Sequence, residues 1–95
     1  MATYIILSRI SVDAFENPHD FRKVAQTVAS KIRKECKGCT WKASYAVTGR
    51  FDVVDIVEAD DPAEVERAAM IIRGYGRATT ETLLATPWQQ FVSSL

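Results

Sequence analysis

An acidic residue in the middle of an apolar strand segment, residues 49–59, is the first candidate for chemistry. Asp55 shares one side of the predicted strand with Val53 and Val57, because successive side chains on a strand point to opposite faces. A carboxyl group in such apolar surroundings can act as a general acid or base, or accept a hydrogen bond from a ligand. The alternatives are an ion pair with a cation such as Arg9, or a β-bulge that changes the face on which Asp55 lies.

Asp52 is a second candidate acid in the same segment. It follows the turn that Gly49 and Arg50 are predicted to form, and aspartates in such places commonly accept hydrogen bonds from nearby backbone N–H groups. A catalytic role and a structural role in the hairpin are both open for Asp52.

Aromatic residues on neighbouring predicted strands can line a pocket for a flat ligand. The strand predicted over residues 40–47 alternates in polarity, which places Trp41 and Tyr45 on one face. Together with Phe51 and Arg9, they are predicted to bind a ligand. The alternative is that the aromatic side chains are part of the core.

A single C-x-x-C pair, Cys36 and Cys39, offers two soft metal ligands. A structural zinc site needs two more ligands, and the only histidine, His19, lies at the other end of the first predicted helix. Redox activity requires a stabilised thiolate, whereas the negative end of the preceding helix disfavours one. We therefore predict two ordinary thiols and no cofactor, with Cys36 and Cys39 as weak candidates for a metal site.

Length and charge exclude several classes of protein. The 95 residues form one predicted domain over 1–95, and twelve basic residues balance twelve acidic ones. This neutrality argues against binding to nucleic acid or to an anionic membrane. The longest apolar run, residues 4–7, is far shorter than the roughly 20 residues that cross a bilayer. Since the N-terminus also lacks the pattern of a signal peptide, we expect a cytoplasmic protein.

The order of predicted elements is β-α-β-β-α-β, which is typical of a ferredoxin-like α+β fold. Asn17 and Pro18 are predicted to begin the first helix, and Pro62 the second. Right-handed crossovers place both helices on one face of a four-stranded antiparallel sheet and leave the other face bare. A second copy of the chain is the simplest cover for that apolar face, so a homodimer or higher oligomer is predicted. The predicted strands are 3–9, 40–47, one beginning near Phe51, and 78–85, with a terminal turn or helix at 87–91.

Several segments resemble the GYD-domain family: residues 1–7, 49–52, 56–59 and 80–83. Residues 49–52 match the family motif of glycine, any residue, tyrosine and aspartate, except that Phe51 replaces the tyrosine. The resemblance implies a dimeric α/β barrel, formed by two sheets that meet. It implies no general activity.

Three functions from different classes are consistent with the sequence. The first is a homodimeric small-molecule-binding or sensing protein. The second is a small metal-free enzyme in which Asp55 or Asp52 moves a proton on a carbonyl or phenolic ligand. The third is an accessory or scaffolding subunit that assembles through the bare sheet face or the terminal segment, residues 87–95.

Overall fold

The strands and helices follow one another in the predicted order. The computed structural model describes every residue from Met1 to Leu95. Its elements are β1 (Ala2–Ile10), α1 (Phe21–Glu35), β2 (Cys39–Ala46), β3 (Val53–Ala59), α2 (Pro62–Tyr75), β4 (Ala78–Ala85) and a short α3 (Trp88–Ser93).

The four strands form one antiparallel sheet in the order β2-β3-β1-β4, with β1 and β3 in the centre. This confirms the ferredoxin-like α+β fold. The sheet of a single chain is open rather than closed into a barrel. A barrel would need the sheet of a second copy, so the dimeric barrel stays a prediction.

One face of the sheet carries the core and the other is bare. Ile6 on β1 and Val57 on β3 are fully buried beneath Val65 of α2. Because strand side chains alternate, the neighbouring Ile5 and Ile56 pair on the opposite face, where they are only half-buried. We call this second surface the open face; its apolar residues are Ile5, Leu7, Ala43, Tyr45, Val54, Ile56 and Leu83.

The two long helices differ in how they meet the sheet. At the start of α2, Asp61 accepts a hydrogen bond of 2.9 Å from the backbone N–H of Ala63. α2 then buries five residues, among them Val65 and Ile72. In contrast, α1 has no fully buried residue, although its sequence carries an apolar stripe. Val28 and Ile32 of the stripe pack against the core, but no residue of the stripe is enclosed by it.

The first helix begins later than predicted. Asn17 Oδ1 accepts hydrogen bonds from the backbone N–H groups of His19 (3.0 Å) and Asp20 (3.2 Å). Backbone bonds that join residues three apart follow, and α1 starts only at Phe21. Asn17 thus caps the tight turn that precedes α1, and it does not cap α1. Hydrogen bonds from the Asn side chain to nearby backbone groups favour turns as well as helix starts.

The alternation predicted for β2 is wrong beyond its first residues. The register with β3 shifts between Trp41 and Ala43, so that Trp41 pairs with Val57 but Ser44 pairs with Asp55. Because of the extra residue in this bulge, Ser44 lies on the helix-covered face, as Trp41 does. Tyr45 lies on the open face instead.

The C-terminal segment ends in the predicted short helix, α3. Trp88 and Phe91 contact each other, with their ring centroids 6.0 Å apart. Both rings are exposed, as are Val92 and Leu95. No helix in the chain combines the length and the apolar character that crossing a membrane requires.

Candidate functional site

A cavity of about 700 Å³ separates α1 from the sheet. It explains why the apolar stripe of α1 is not fully buried: Phe21, Val28 and Ile32 line the cavity. Most of the other lining residues are also apolar, and its size is within the range of small-molecule sites. A small set of polar side chains on the sheet forms its floor: Ser8, Ser44 and Asp55, beside Trp41.

Asp55 is held by a closed hydrogen-bond network on that floor. Its Oδ1 atom accepts hydrogen bonds from Trp41 Nε1, at 3.1 Å, and from the hydroxyl of Ser44. Trp41 Nε1 also donates to Ser44 Oγ, at 3.0 Å. All these bonds converge on one side of the carboxylate, so Oδ2 accepts none. The network therefore orients Asp55 and leaves one oxygen for a ligand, although the residue is only 6% exposed.

Ser8 is a second polar group without a partner on the floor. It is 2% exposed, and its hydroxyl makes no hydrogen bond. Since Ile6 pairs with Asp55 and Ser8 with Val53, Ser8 and Asp55 are diagonal neighbours on the same face. Such positions are about 7–8 Å apart at the backbone, so one polar group can bridge the two side chains. Buried hydroxyls usually have partners, and an unpaired one suits a ligand site.

Asp52 lies outside the cavity, where three strands meet. Its Oδ2 atom accepts a 2.8 Å hydrogen bond from the backbone N–H of Ile10. Its own N–H donates to the carbonyl of Ser8, and its carbonyl accepts from the N–H of Val47. Asp52 thus ties the ends of β1 and β2 to the beginning of β3.

The sequence as a whole matches a known family. A GYD domain matches residues 4–95. The chain belongs to the GYD family. A curated relative from Thermus thermophilus, the "glutamine synthetase and cystathionine beta-lyase binding protein", is 34% identical over 99 residues, spanning 100% of this chain and 99% of the relative.

Solved structures share the fold at lower identity. The Thermus thermophilus protein TTHA0845 is 23% identical, with a TM-score of 0.56, over 92% of this chain and 95% of that one. The leucine response regulatory protein LrpA of Mycobacterium tuberculosis has a TM-score of 0.61 at 14% identity. The match to LrpA covers 90% of this chain but only 51% of LrpA, so it concerns one part of that protein. These similarities support the fold alone.

The GYD motif residues have a structural explanation in this chain. Gly49 has a φ of 110°, in the region that glycine adopts without strain. Asp52 makes the three-strand junction described above. Phe51 is half-buried next to the Arg50 guanidinium, which lies 5.8 Å from the centre of the ring. The motif therefore shapes the hairpin between β2 and β3, and the cavity is built from other residues.

The structure separates the other predicted ligand-binding residues. Trp41 lines the cavity, whereas Tyr45 is exposed on the open face. Phe51 does not line the cavity. Arg9 lies at the end of β1 and lines a different cavity. The four residues predicted together thus do not form one site in a single chain.

The cysteines lie at one end of the cavity as free thiols. Burial raises the pKa of Cys39 to about 11, and the nearby Cys36 and Glu64 contribute. Burial, followed by Glu64, also raises the pKa of Cys36. Both thiols are therefore protonated at neutral pH, which makes them poor nucleophiles. No three Cys, His, Asp or Glu side chains converge to hold a metal ion.

Sequence reasoning missed Ser8 and Ser44. Ser8 has the same parity in β1 as Tyr4 and Ile6, so a polar residue on the buried face was a signal that could have identified it. No comparable signal existed for Ser44. The bulge in β2 decides that it meets Asp55, and bulges depend on the pairing of two strands.

Proposed function

We propose that this GYD protein binds a small molecule in the cavity beneath α1 and acts without catalysis of its own. The proposal rests on an apolar cavity of about 700 Å³ whose floor holds one buried hydroxyl without a partner, Ser8 Oγ, and one carboxylate, Asp55, whose hydrogen bonds all go to Oδ1. A ligand that fills the space would remove its apolar lining from water, which lowers the free energy of the complex. The stripe of α1 is part of that lining.

The floor of the cavity limits the chemistry of the ligand. A carboxylate oxygen accepts hydrogen bonds and the Ser8 hydroxyl can donate or accept, so the ligand needs a donor head such as an ammonium, amide or hydroxyl group. The remaining lining is mostly apolar, apart from Arg33 and Lys37 near the C-terminal end of α1, so it favours an apolar body, and Trp41 offers a flat surface for a ring. An anionic head on the floor would lie against Asp55 and is disfavoured there.

Three ligands that share one apolar body test this proposal: phenethylamine, phenethyl alcohol and phenylacetate. We expect phenethylamine to bind most tightly, and phenylacetate to bind with an affinity at least about tenfold lower. The reason is that a hydrogen bond to a charged group contributes about 1.5–3 kcal/mol to the binding free energy. Asp55→Asn should remove most of that preference. Affinities and contacted residues are measured by NMR titration of the backbone amides.

Two further variants make the titration decisive. Ala29→Trp fills the cavity from α1 and should abolish binding of all three compounds, whereas Asp13→Asn removes an exposed carboxylate elsewhere and should change nothing. Binding that survives Ala29→Trp, or amide shifts confined to the open face, would contradict the proposal. Turnover of a bound carbonyl or phenolic compound that depends on Asp55 would instead favour the enzymatic alternative.

An accessory role in a larger assembly is the second candidate, and the name of the Thermus relative favours it. A GYD protein that binds enzymes needs a surface for them. The exposed apolar side chains of the C-terminal segment offer one, with Trp88 at 72% and Leu95 at 88% exposure. Self-association through the open face would present two such segments per dimer in the cytoplasm.

Purified glutamine synthetase and cystathionine β-lyase test the accessory role directly. We expect the wild-type protein to co-sediment with at least one of them, and Trp88→Ala combined with Leu95→Ala to lose that complex. Met70→Ala truncates an exposed apolar side chain on α2 and is the matched control. Equal co-sedimentation of the wild type and both variants would exclude the C-terminal segment as the docking surface.

A further inference from the structure

A second cavity, of about 630 Å³ and largely open to solvent, lies where β1 ends and where α2 turns into β4. It shares only Ile10 and Ala78 with the cavity beneath α1. Three of its lining residues are arginines and none is acidic. We call this set the arginine corner: Arg9, Arg73 and Arg77.

No carboxylate forms an ion pair with the arginine corner. The ion pairs in the structure join Met1 to Asp60 and Arg67 to Glu64, and none involves the three arginines. The negative charges beside it are the C-terminal end of α2, where a helix carries roughly half a negative charge, and the carboxylate of Asp52, which accepts a hydrogen bond from the N–H of the lining residue Ile10. Three guanidinium groups exceed these charges about twofold. A chain with no net charge thus concentrates positive charge in one concave place.

One side chain of the arginine corner and the backbone around it are held in position. Arg73 Nη1 donates a 2.7 Å hydrogen bond to Thr80 Oγ1, which anchors one guanidinium on β4. The carbonyl of Arg77 accepts a 3.0 Å hydrogen bond from the N–H of Ser11, which fixes the loop after β1 against the loop before β4. Arg77 has a φ of 52°, a left-handed conformation that costs free energy for any residue with a side chain. Arg77 directly follows Gly76, the C-cap residue of α2, and chains that leave a helix commonly turn in this way.

We propose that the arginine corner binds a small polyvalent anion, and specifically a phosphate-bearing metabolite. Guanidinium groups recognise phosphate oxygens through paired hydrogen bonds, which several arginines can make to one ligand. The hydroxyls of Ser11 and Thr79, also in the lining, supply further polar groups. Nucleic acid does not fit, because the charge is confined to one cavity and does not extend along a surface. This site is independent of the ligand proposed beneath α1.

Pyrophosphate and inorganic phosphate are the probes, titrated by calorimetry at low ionic strength without divalent metal. We expect pyrophosphate to bind more tightly than phosphate, and both affinities to fall as sodium chloride is added, since the attraction is electrostatic. Arg9→Gln and Arg77→Gln should each lower the affinity for pyrophosphate about tenfold, as expected for the loss of one charge-assisted contact. Arg22→Gln removes an exposed arginine on α1 and should leave the affinity unchanged.

Several results would overturn the proposal. One is the absence of pyrophosphate binding to the wild-type protein; another is equal weakening by Arg22→Gln. Circular dichroism of each variant establishes that it is folded, and Arg73→Lys, which keeps the charge but loses the paired geometry, gives an intermediate affinity if the site is built as described. Pyrophosphate binding should be unaffected by Ala29→Trp, so failure at either cavity is distinguishable from failure at the other.

Discussion

Replacing Ile56 by aspartate is expected to convert the proposed homodimer into monomers. Ile56 lies on the central strand β3, on the open face, between Ile5 and Ala43. If the open faces of two copies meet, each new carboxylate is buried without a partner. An uncompensated buried charge of this kind costs about 3–5 kcal/mol, and a two-fold interface contains the substitution twice. Dimerisation should therefore weaken by about 100-fold or more.

Sedimentation velocity over a wide range of protein concentrations measures this effect. Met70→Asp is the matched control, because Met70 is 66% exposed on the helix layer and not on the open face. It should sediment like the wild type. A wild-type protein that is monomeric at every concentration would refute the proposed dimer, and an Ile56→Asp variant with unchanged mass would place the interface elsewhere. Circular dichroism shows whether the variant retains its fold.

Truncation of Ile6 to alanine is expected to remove a large part of the stability of the chain. Ile6 has no solvent exposure and packs with Tyr4, Val57 and Val65 in the main core cluster. Such Ile to Ala substitutions cost about 2–5 kcal/mol, since they lose buried apolar surface and leave a void. Domains of this size are stable by only about 5–15 kcal/mol, so the loss is severe.

Urea unfolding, followed by tryptophan fluorescence at several protein concentrations, measures the free energy of unfolding. Ile5→Ala is the control one residue away, on the half-buried open face of the same strand. We expect Ile6→Ala to lower stability equally at all concentrations. Ile5→Ala should have its main effect where the protein is dimeric, because its side chain faces the proposed partner. If both variants lost the same free energy of unfolding in dilute solution, the division of β1 into a core face and an open face would be contradicted.

The order and type of the main elements can be predicted from the sequence, because the patterns that specify them are local. The apolar run of β1 and the aspartate and proline that begin α2 are readable within a few residues. Few arrangements of four strands are compatible with that order of elements. The central positions of β1 and β3 in the sheet could therefore be predicted. The family could also be predicted from the sequence, since residues 49–52 match its motif except at Phe51 and three other segments resemble the family.

The assembly of the site depends on contacts between distant parts of the chain. Asp55 could be singled out from its apolar neighbours, but its partners Trp41 and Ser44 depend on a bulge in β2, which arises from pairing with β3. The cavity has the same origin: the spacing of apolar residues predicts which side of α1 faces the sheet, but not how far from the sheet the helix lies. The arginine corner joins residues from three separate segments, which no local pattern connects. Periodicity specifies faces, whereas distances between faces are set by packing of the whole chain.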